Sequence, residues 1–314
     1  MTLVRQFTRN DIEALVPHRF ENLLVDSVEM VQVEGETRAR LSLNIGEKDE
    51  LGRQLFFKQN GSSAELIVPF FMEILALGSI VCSDKLIPGQ TVFFTGISNF
   101  ALHSAYAMGK TITGEVKKIK DKGPFLLCSG KIFEGDQCLA EGEMMAFFSD
   151  PNHPETDEKP KKKSAQILET NGVVVRDESK SVKSKFMQVV DSLVYQNQEA
   201  GRYIFEYTYP KNHPLIRGHF PQKPLMMGVM QWMMVEDACE LLANQVLNMK
   251  SVVFKGNAEI VKEEGTAVAE LKGFEVQVLN GIATLKSTSK IQFRDFVTPG
   301  EKVMLVLEGL EIHS

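Results

Sequence analysis

The sequence predicts an α+β protein in two similar halves, each a curved antiparallel sheet wrapped around one long apolar central helix. Three observations lead there. Alternating apolar and polar residues, the pattern of half-buried strands, recur along most of the chain. Each half also holds one stretch that is apolar on nearly every side, Leu66–Cys82 and about 226–247. A helix of that kind has to be surrounded, and the sheet is the only material available to do it. Finally, the run DPNHPETDEKPKKKSAQ after Ser149 carries charge and proline with almost nothing apolar, so it cannot offset its own ordering entropy and divides the chain.

The 314 residues, at about 150 per domain, give an N-terminal domain 1–150, a charged exposed linker 151–184 and a C-terminal domain 185–314. Composition is that of a globular protein, 43 % hydrophobic and 24 % charged. With 35 basic and 41 acidic residues the net charge is −6, which leaves no electrostatic footprint for nucleic acid. Four cysteines, Cys82, Cys128, Cys138 and Cys239, are scattered without a CxxC pair, so neither disulfides nor a zinc site is expected. The stretch Leu66–Cys82 contains Pro69, Glu73, Gly78 and Ser79 and reads as a core helix rather than a membrane span. The N-terminus shows no leader pattern. A soluble, cytoplasmic protein is expected.

In order, Thr8 or Asn10 can cap a short helix over Asp11–Leu15. The strand candidates FENLLVDSVEM and ETRARLSLNI follow, then the first apolar helix at about 65–83, then TVFFTGI, KTITGEVKKI, PFLLCSGKIF and CLAEGEMMAFF. The second half repeats the order with FMQVVDSLVY, GRYIFEYTY, the helix at about 226–247, TAVAELKGFEVQVL, IATLKSTSKIQF and EKVMLVLEGLEI. Asn280-Gly281 between two alternating runs marks a hairpin. Val25-Asp26-Ser27 and Val190-Asp191-Ser192 align the halves with an offset of 191 − 26 = 165.

Chemistry concentrates in NHPLIRGHFPQKPLMMGV, residues 212–229. His219 sits in a Gly- and Pro-rich loop leading into a buried helix, a place suited to proton transfer near neutrality and to anion stabilisation by helix-start amides. HFPQKPLMMGV resembles the HFPGxPxMPGV signature of the 3-hydroxyacyl-(acyl carrier protein) dehydratases, and DIEALVPHRFENLLVD (11–26) resembles their LLPHRYPFLLVD stretch. Gln222 and Met227 depart from the signature's glycine and proline. The resemblance covers most of the first half and two-thirds of the second, and it implies a double hotdog fold. In that family a carboxylate follows the histidine by 14 positions. Here that position is Met233, with Glu236 one turn further on, whereas the first-half helix carries Glu73 and, 14 before it, Gln59. The offsets agree, 219 − 59 = 160 and 233 − 73 = 160. The resemblance therefore implies one complete composite site, His219 with Glu73, and one dead one, Gln59 with Met233.

By the same resemblance His219 removes a C2 proton, Glu73 assists departure of the C3 hydroxyl, and amides near Val68 hold the thioester oxygen, although Pro69 offers no N–H. Gly228, Phe220 and Met233 are expected at the substrate. No cofactor or metal is implied; the partner is an acyl carrier protein or coenzyme A thioester, and two chains could pair again as a homo-oligomer. An acyl thioesterase, with Glu73 activating water, and an inactive acyl-binding scaffold are the alternatives. His18 reads as structural, His103 as a surface group or carrier contact, His213 as a possible support for the His219 loop, and His153 and His313 as linker and terminus. The methionine cluster around Trp232 reads as core or channel lining. One segment arrives out of place. FRDFVTPGE (293–301), if it corresponds to Phe100, is 293 − 260 = 33 residues late, which requires an inserted hairpin after residue 250 or a different strand order.

Overall fold

The computed structural model describes residues 2–81, 83, 90–149 and 170–314. The first half runs β1 (Thr2–Phe7), α1 (Arg9–Leu15), β2 (Ser27–Val33), β3 (Glu36–Asn44), β4 (Phe57–Asn60), β5 (Ser63–Leu66), α2 (Phe70–Val81), β6 (Val92–Leu102), β7 (Thr111–Lys122), β8 (Phe125–Glu134) and β9 (Gln137–Phe148). The second runs β10 (Val174–Val175), β11 (Ser192–Asn197), β12 (Arg202–Thr208), α3 (Gly228–Leu241), β13 (Ser251–Lys262), β14 (Ala267–Leu279), β15 (Ile282–Phe293) and β16 (Lys302–His313). Among the described residues, fourteen strands form one antiparallel sheet, β1-β2-β3-β7-β8-β9-β6-β15-β14-β13-β16-β12-β11-β10, and β4 and β5 form a separate hairpin.

Local chemistry sets these elements. Thr8 caps α1 in a reciprocal box with Asp11. Asn280 and Gly281 both take positive φ (53° and 81°), the backbone that a two-residue hairpin turn requires. Every residue of α2 is buried, as is every residue of α3 after Gly228. Helix α2 packs on β3 and β6–β9, α3 packs on β13–β15, and the two helices touch each other. This is the predicted architecture of two sheets, each curled around one helix. α2 is shorter than the apolar stretch because β5 takes Ser63–Leu66 and Pro69 precedes the first turn.

The halves join edge to edge through β6 and β15, where Ile97 faces Ile291 and Gly96 faces Gln292. A Cβ on Gly96 would lie 2.8 Å from the Ile291 carbonyl oxygen, so the seam closes only with glycine there. Trp232 of α3 fixes the seam from below, with its ring edge-on to Phe100 at 4.8 Å and its Nε1–H donating to Thr288 at 3.2 Å.

The late FRDFVTPGE segment is explained by strand order and not by an added hairpin. After α2 the chain enters the seam strand β6, crosses to β7, and returns through β8 and β9. After α3 it makes β13 and β14 first, then the seam strand β15, then crosses to β16. The crossover from β15 to β16 has the same spatial role as that from β6 to β7. Each half of the sheet has the same seven positions, filled in a different sequence order.

Residues 151–169 of the expected linker lie outside the described residues, with His153 and Lys161–Lys163 among them. The remainder, 170–184, is mostly exposed, but it is anchored on the second half. β10 pairs with β11, and Arg176 and Lys183 are buried. Two residues of this polar stretch thus supply charges to the interior beside α3.

Candidate active site

Two loops from opposite halves meet at the seam. The first follows α1 and carries His18; the second follows β12 and carries His219. Arg19 N–H donates to the Gly218 carbonyl at 2.9 Å, and Asn22 Nδ2 donates to the Leu215 carbonyl at 3.1 Å. The Arg217 guanidinium reaches the buried Glu21 carboxylate at 2.6 Å, with a second contact at 3.2 Å. The approach is so close that a Cβ on Gly218 would lie 2.3 Å from the Arg19 carbonyl oxygen. His213 braces this loop: its Nδ1 accepts from the Leu215 N–H, capping the following 3-10 turn, and its Nε2 lies 2.8 Å from the Phe186 carbonyl. Burial pushes its pKa down.

Under the loops lies a cavity of about 260 Å³ lined by His18, Glu73, His219, Phe220, Gly228 and Gln231 at its polar end. Its remaining lining is mostly apolar and aromatic, including Met72, Phe94, Phe147 and Phe293. His219 and Glu73, 146 positions apart by 219 − 73, therefore share one cavity. His219 is 7 % exposed, and its Nδ1 lies 2.8 Å from the Leu225 carbonyl oxygen. That contact requires a proton on Nδ1 and leaves the Nε2 lone pair free. Burial, reinforced by His18 and opposed by Glu73, lowers the His219 pKa to about 4, so the ring is neutral at pH 7.

Glu73 is 4 % exposed. Its only polar partner among the described residues is His18, with Nε2 to Oε1 at 3.3 Å. The His18 ring in turn stands edge-on to His219 with centroids 5.2 Å apart. His18 thus belongs to the cavity, where sequence reading made it structural. The available signal was its match to the PHR of the resembled LLPHRYPFLLVD stretch. Phe220, at φ 53°, holds a strained left-handed backbone for a bulky residue, and its ring packs edge-on against His219 at 4.7 Å.

Val68 and Met233 do not line this cavity; both are buried in the apolar core. The amides of Phe70, Phe71 and Met72 at the start of α2 are bonded to the Ile67, Val68 and Pro69 carbonyls. Instead, the start of α3 faces the cavity. Gly228 and Val229 line it, and among the described residues their N–H groups have no acceptor. The reason is chain proximity, since Gly228 lies nine residues after His219 on the same loop (228 − 219). Met233, five positions beyond Gly228, points about 140° around the helix from it.

The counterpart position across the pseudo-symmetry axis is filled. Here too the two loops are tied by one backbone bond, but in the opposite sense: the Gln59 N–H, counterpart of His219, donates to the Val182 carbonyl at 3.0 Å. Lys183 stands where His18 stands in the first half, since 183 − 18 = 165. Lys183 binds Glu236 at 2.8 Å and Asp237 at 2.5 Å. Lys58 reaches Glu236 at 3.2 Å and donates to the Ala283 carbonyl. Arg176 adds contacts to Asp237 at 3.7 Å and Glu240 at 3.2 Å. All six groups are buried. Burial works to raise the Glu236 pKa, but Lys183 and Lys58 outweigh it and hold the carboxyl at about 2. Glu236 is therefore a structural anion and not a displaced catalytic acid.

His103 pairs with Glu141 on the surface at 3.1 Å, and His313 lies exposed near Glu311. Among the described residues no helix is long and apolar enough to cross a membrane.

Residues 195–258 match the sequence model of the ApeI-like family, described as ApeI dehydratase. The 3-hydroxyacyl-[acyl-carrier-protein] dehydratase FabZ of Clostridium kluyveri is 28 % identical over 151 residues, 46 % of this chain and 99 % of that protein. The FabZ of Moorella thermoacetica is 29 % identical over 140 residues, 43 % of this chain and 92 % of that protein. Among solved structures, the dehydratase domain from the CurF module of curacin polyketide synthase covers 88 % of this chain and 99 % of that one, with a TM-score of 0.47 and 12 % identity. The dehydratase heterocomplex ApeI:P from Xenorhabdus doucetiae covers 44 % and 91 %, with a TM-score of 0.37 and 16 % identity.

Proposed function

We propose that this chain is a hotdog-fold dehydratase whose cavity beneath the two loops removes water from a (3R)-3-hydroxyacyl thioester to give the trans-2-enoyl thioester. The acyl group enters on the pantetheine arm of acyl carrier protein or coenzyme A. The observation that carries the reading is the pairing, in one buried cavity, of a neutral imidazole whose Nε2 lone pair is free with a carboxyl group from the other half.

His219 Nε2 takes the proton from C2. The electron pair moves toward the thioester oxygen, where the free N–H groups of Gly228 and Val229 and the N-terminal end of α3 stabilise the developing charge. The pair then returns to form the C2–C3 double bond as the C3–O bond breaks. Glu73 relays a proton to the departing hydroxyl, which leaves as water. The proton on His219 returns to Glu73 to complete the cycle. His18, 3.3 Å from Glu73 Oε1, positions the carboxyl so that Oε2 faces the substrate. The apolar and aromatic lining excludes water, which strengthens each of these interactions and disfavours hydrolysis of the thioester.

The test is incubation with a 3-hydroxybutyryl thioester while following enoyl absorbance and free thiol separately. Enoyl formation that disappears in both His219→Ala and Glu73→Gln supports the reading. Thiol release without enoyl formation overturns it in favour of a thioesterase, and neither signal in favour of an acyl-binding protein.

A further inference from the structure

Gln231 lies on the first turn of α3, is 3 % exposed, and lines the cavity beside His219 and Glu73. Its Oε1 is buried without a hydrogen-bond partner. A carbonyl in that state is costly, and an apolar side chain of the same length would avoid the cost. At the sealed counterpart the equivalent residue is apolar, Phe71, since 231 − 160 = 71. At this helix position the carboxamide therefore stands only beside the cavity.

Its position suggests what it meets. Gln231 is three residues beyond Gly228 and shares its helix face, and helical side chains lean back toward the N-terminus. The amide thus reaches over the turn whose free N–H groups face the thioester oxygen. A C3 hydroxyl bound there has one donor and two acceptor sites. Its oxygen accepts the proton of Glu73, which leaves the hydroxyl hydrogen in need of an acceptor. The other orphaned atom of the lining, His18 Nδ1, belongs to a ring that already faces Glu73 and ceases to accept when that ring is protonated. The Gln231 oxygen accepts in every protonation state.

Building on the dehydratase reading, we infer that Gln231 is a specificity residue whose carboxamide oxygen accepts the hydrogen bond of the substrate's C3 hydroxyl. It selects 3-hydroxyacyl groups over saturated acyl groups and touches no bond that forms or breaks.

The experiment compares two pantetheine analogues in which an amide nitrogen replaces the thioester sulfur, one carrying 3-hydroxybutyryl and one butyryl. Both are measured by calorimetry against the wild-type protein, Gln231→Met and Gln231→Asn. The wild type is expected to prefer the hydroxyl form. Gln231→Met is expected to lose roughly tenfold in affinity for it with no loss for the butyryl form, and Gln231→Asn to fall between. The KM for 3-hydroxybutyryl-pantetheine should rise with the same factor. Because Gln231→Met removes an unsatisfied buried carbonyl, its urea midpoint should rise, whereas loss of a merely structural contact would lower it. Equal changes for both analogues, or an unchanged hydroxyl preference, would overturn this inference and leave the dehydratase reading standing. Failure of the wild type to bind either analogue or to turn over the thioester would overturn both.

Discussion

One fold position occurs twice in this molecule and has opposite fates. At the open position a loop histidine, a helix start and a carboxyl from the other half surround a cavity of about 260 Å³. At its counterpart, Lys58, Lys183 and Arg176 meet Glu236, Asp237 and Glu240, three cations against three anions, all buried. The open side keeps one carboxyl with a single neutralisable partner and free polar atoms, an arrangement that can exchange a proton. The closed side satisfies nearly every charge within the protein, an arrangement that can only hold. Removing one partner there exposes an uncompensated buried charge, so the closed position contributes stability, whereas the open one holds the groups that the proposed dehydration needs.

The comparison breaks most readily at the catalytic pair. His219→Ala and Glu73→Gln are each expected to lower the dehydration rate by about 10²–10⁴, while Gln59→Ala, on the sealed side, leaves it within about twofold. Comparable losses from Gln59→Ala would mean that both positions work. Lys183→Met is expected to cost about 3–5 kcal/mol of stability, measured by urea denaturation. Its counterpart His18→Leu should instead lower kcat by roughly ten- to a hundredfold, through misplacement of Glu73.

A pH series sharpens the contrast further. The base must be neutral, so the acid limb of kcat/KM should fall near pH 4 and not near the ordinary histidine value of about 6.5. The lowered folded-state value also means that the unfolded chain takes up this proton first. Stability from His219 is therefore lost as pH falls from about 6.5 toward about 4, and circular dichroism must accompany the assay to separate the two effects. An acid limb at 6.5 with the fold intact would show that His219 is more solvated than its burial indicates. The smallest effect is expected of Arg217→Ala. Its side chain is 62 % exposed, which screens the ion pair, but the substitution leaves the buried Glu21 carboxylate without that partner, read as a modest fall of the urea midpoint.

The open position was far more legible in the sequence than the closed one. His219 stands in a long motif, and Glu73 is the lone ionisable residue of an apolar helix, so each is conspicuous against its surroundings. Spacing then pairs them. The closed cluster gives no such contrast: Lys183 and Arg176 lie in a stretch whose composition resembles an exposed linker, and their partners are 53 and 61 or more positions away. Charge pattern reports solvation only when the partner is near in sequence. Two-residue periodicity likewise locates strands but not their neighbours, which is why the permuted order of β13–β16 could be posed as a question and not answered. The assignment of oxyanion donors to Val68 failed for a related reason. It followed the helix that carries the acid, while the geometry joins the helix start to the loop that carries the base.

The pairing of β6 with β15 places the meeting ground of His219 and Glu73 inside a single covalent molecule. Two separate subunits holding such a pair would come apart on dilution and lose both groups together. Here the encounter is intramolecular, with an effective local concentration that persists however few molecules are present. Turnover per molecule should accordingly stay constant down to nanomolar protein, a property belonging to the covalent connection and not to any side chain in the pocket.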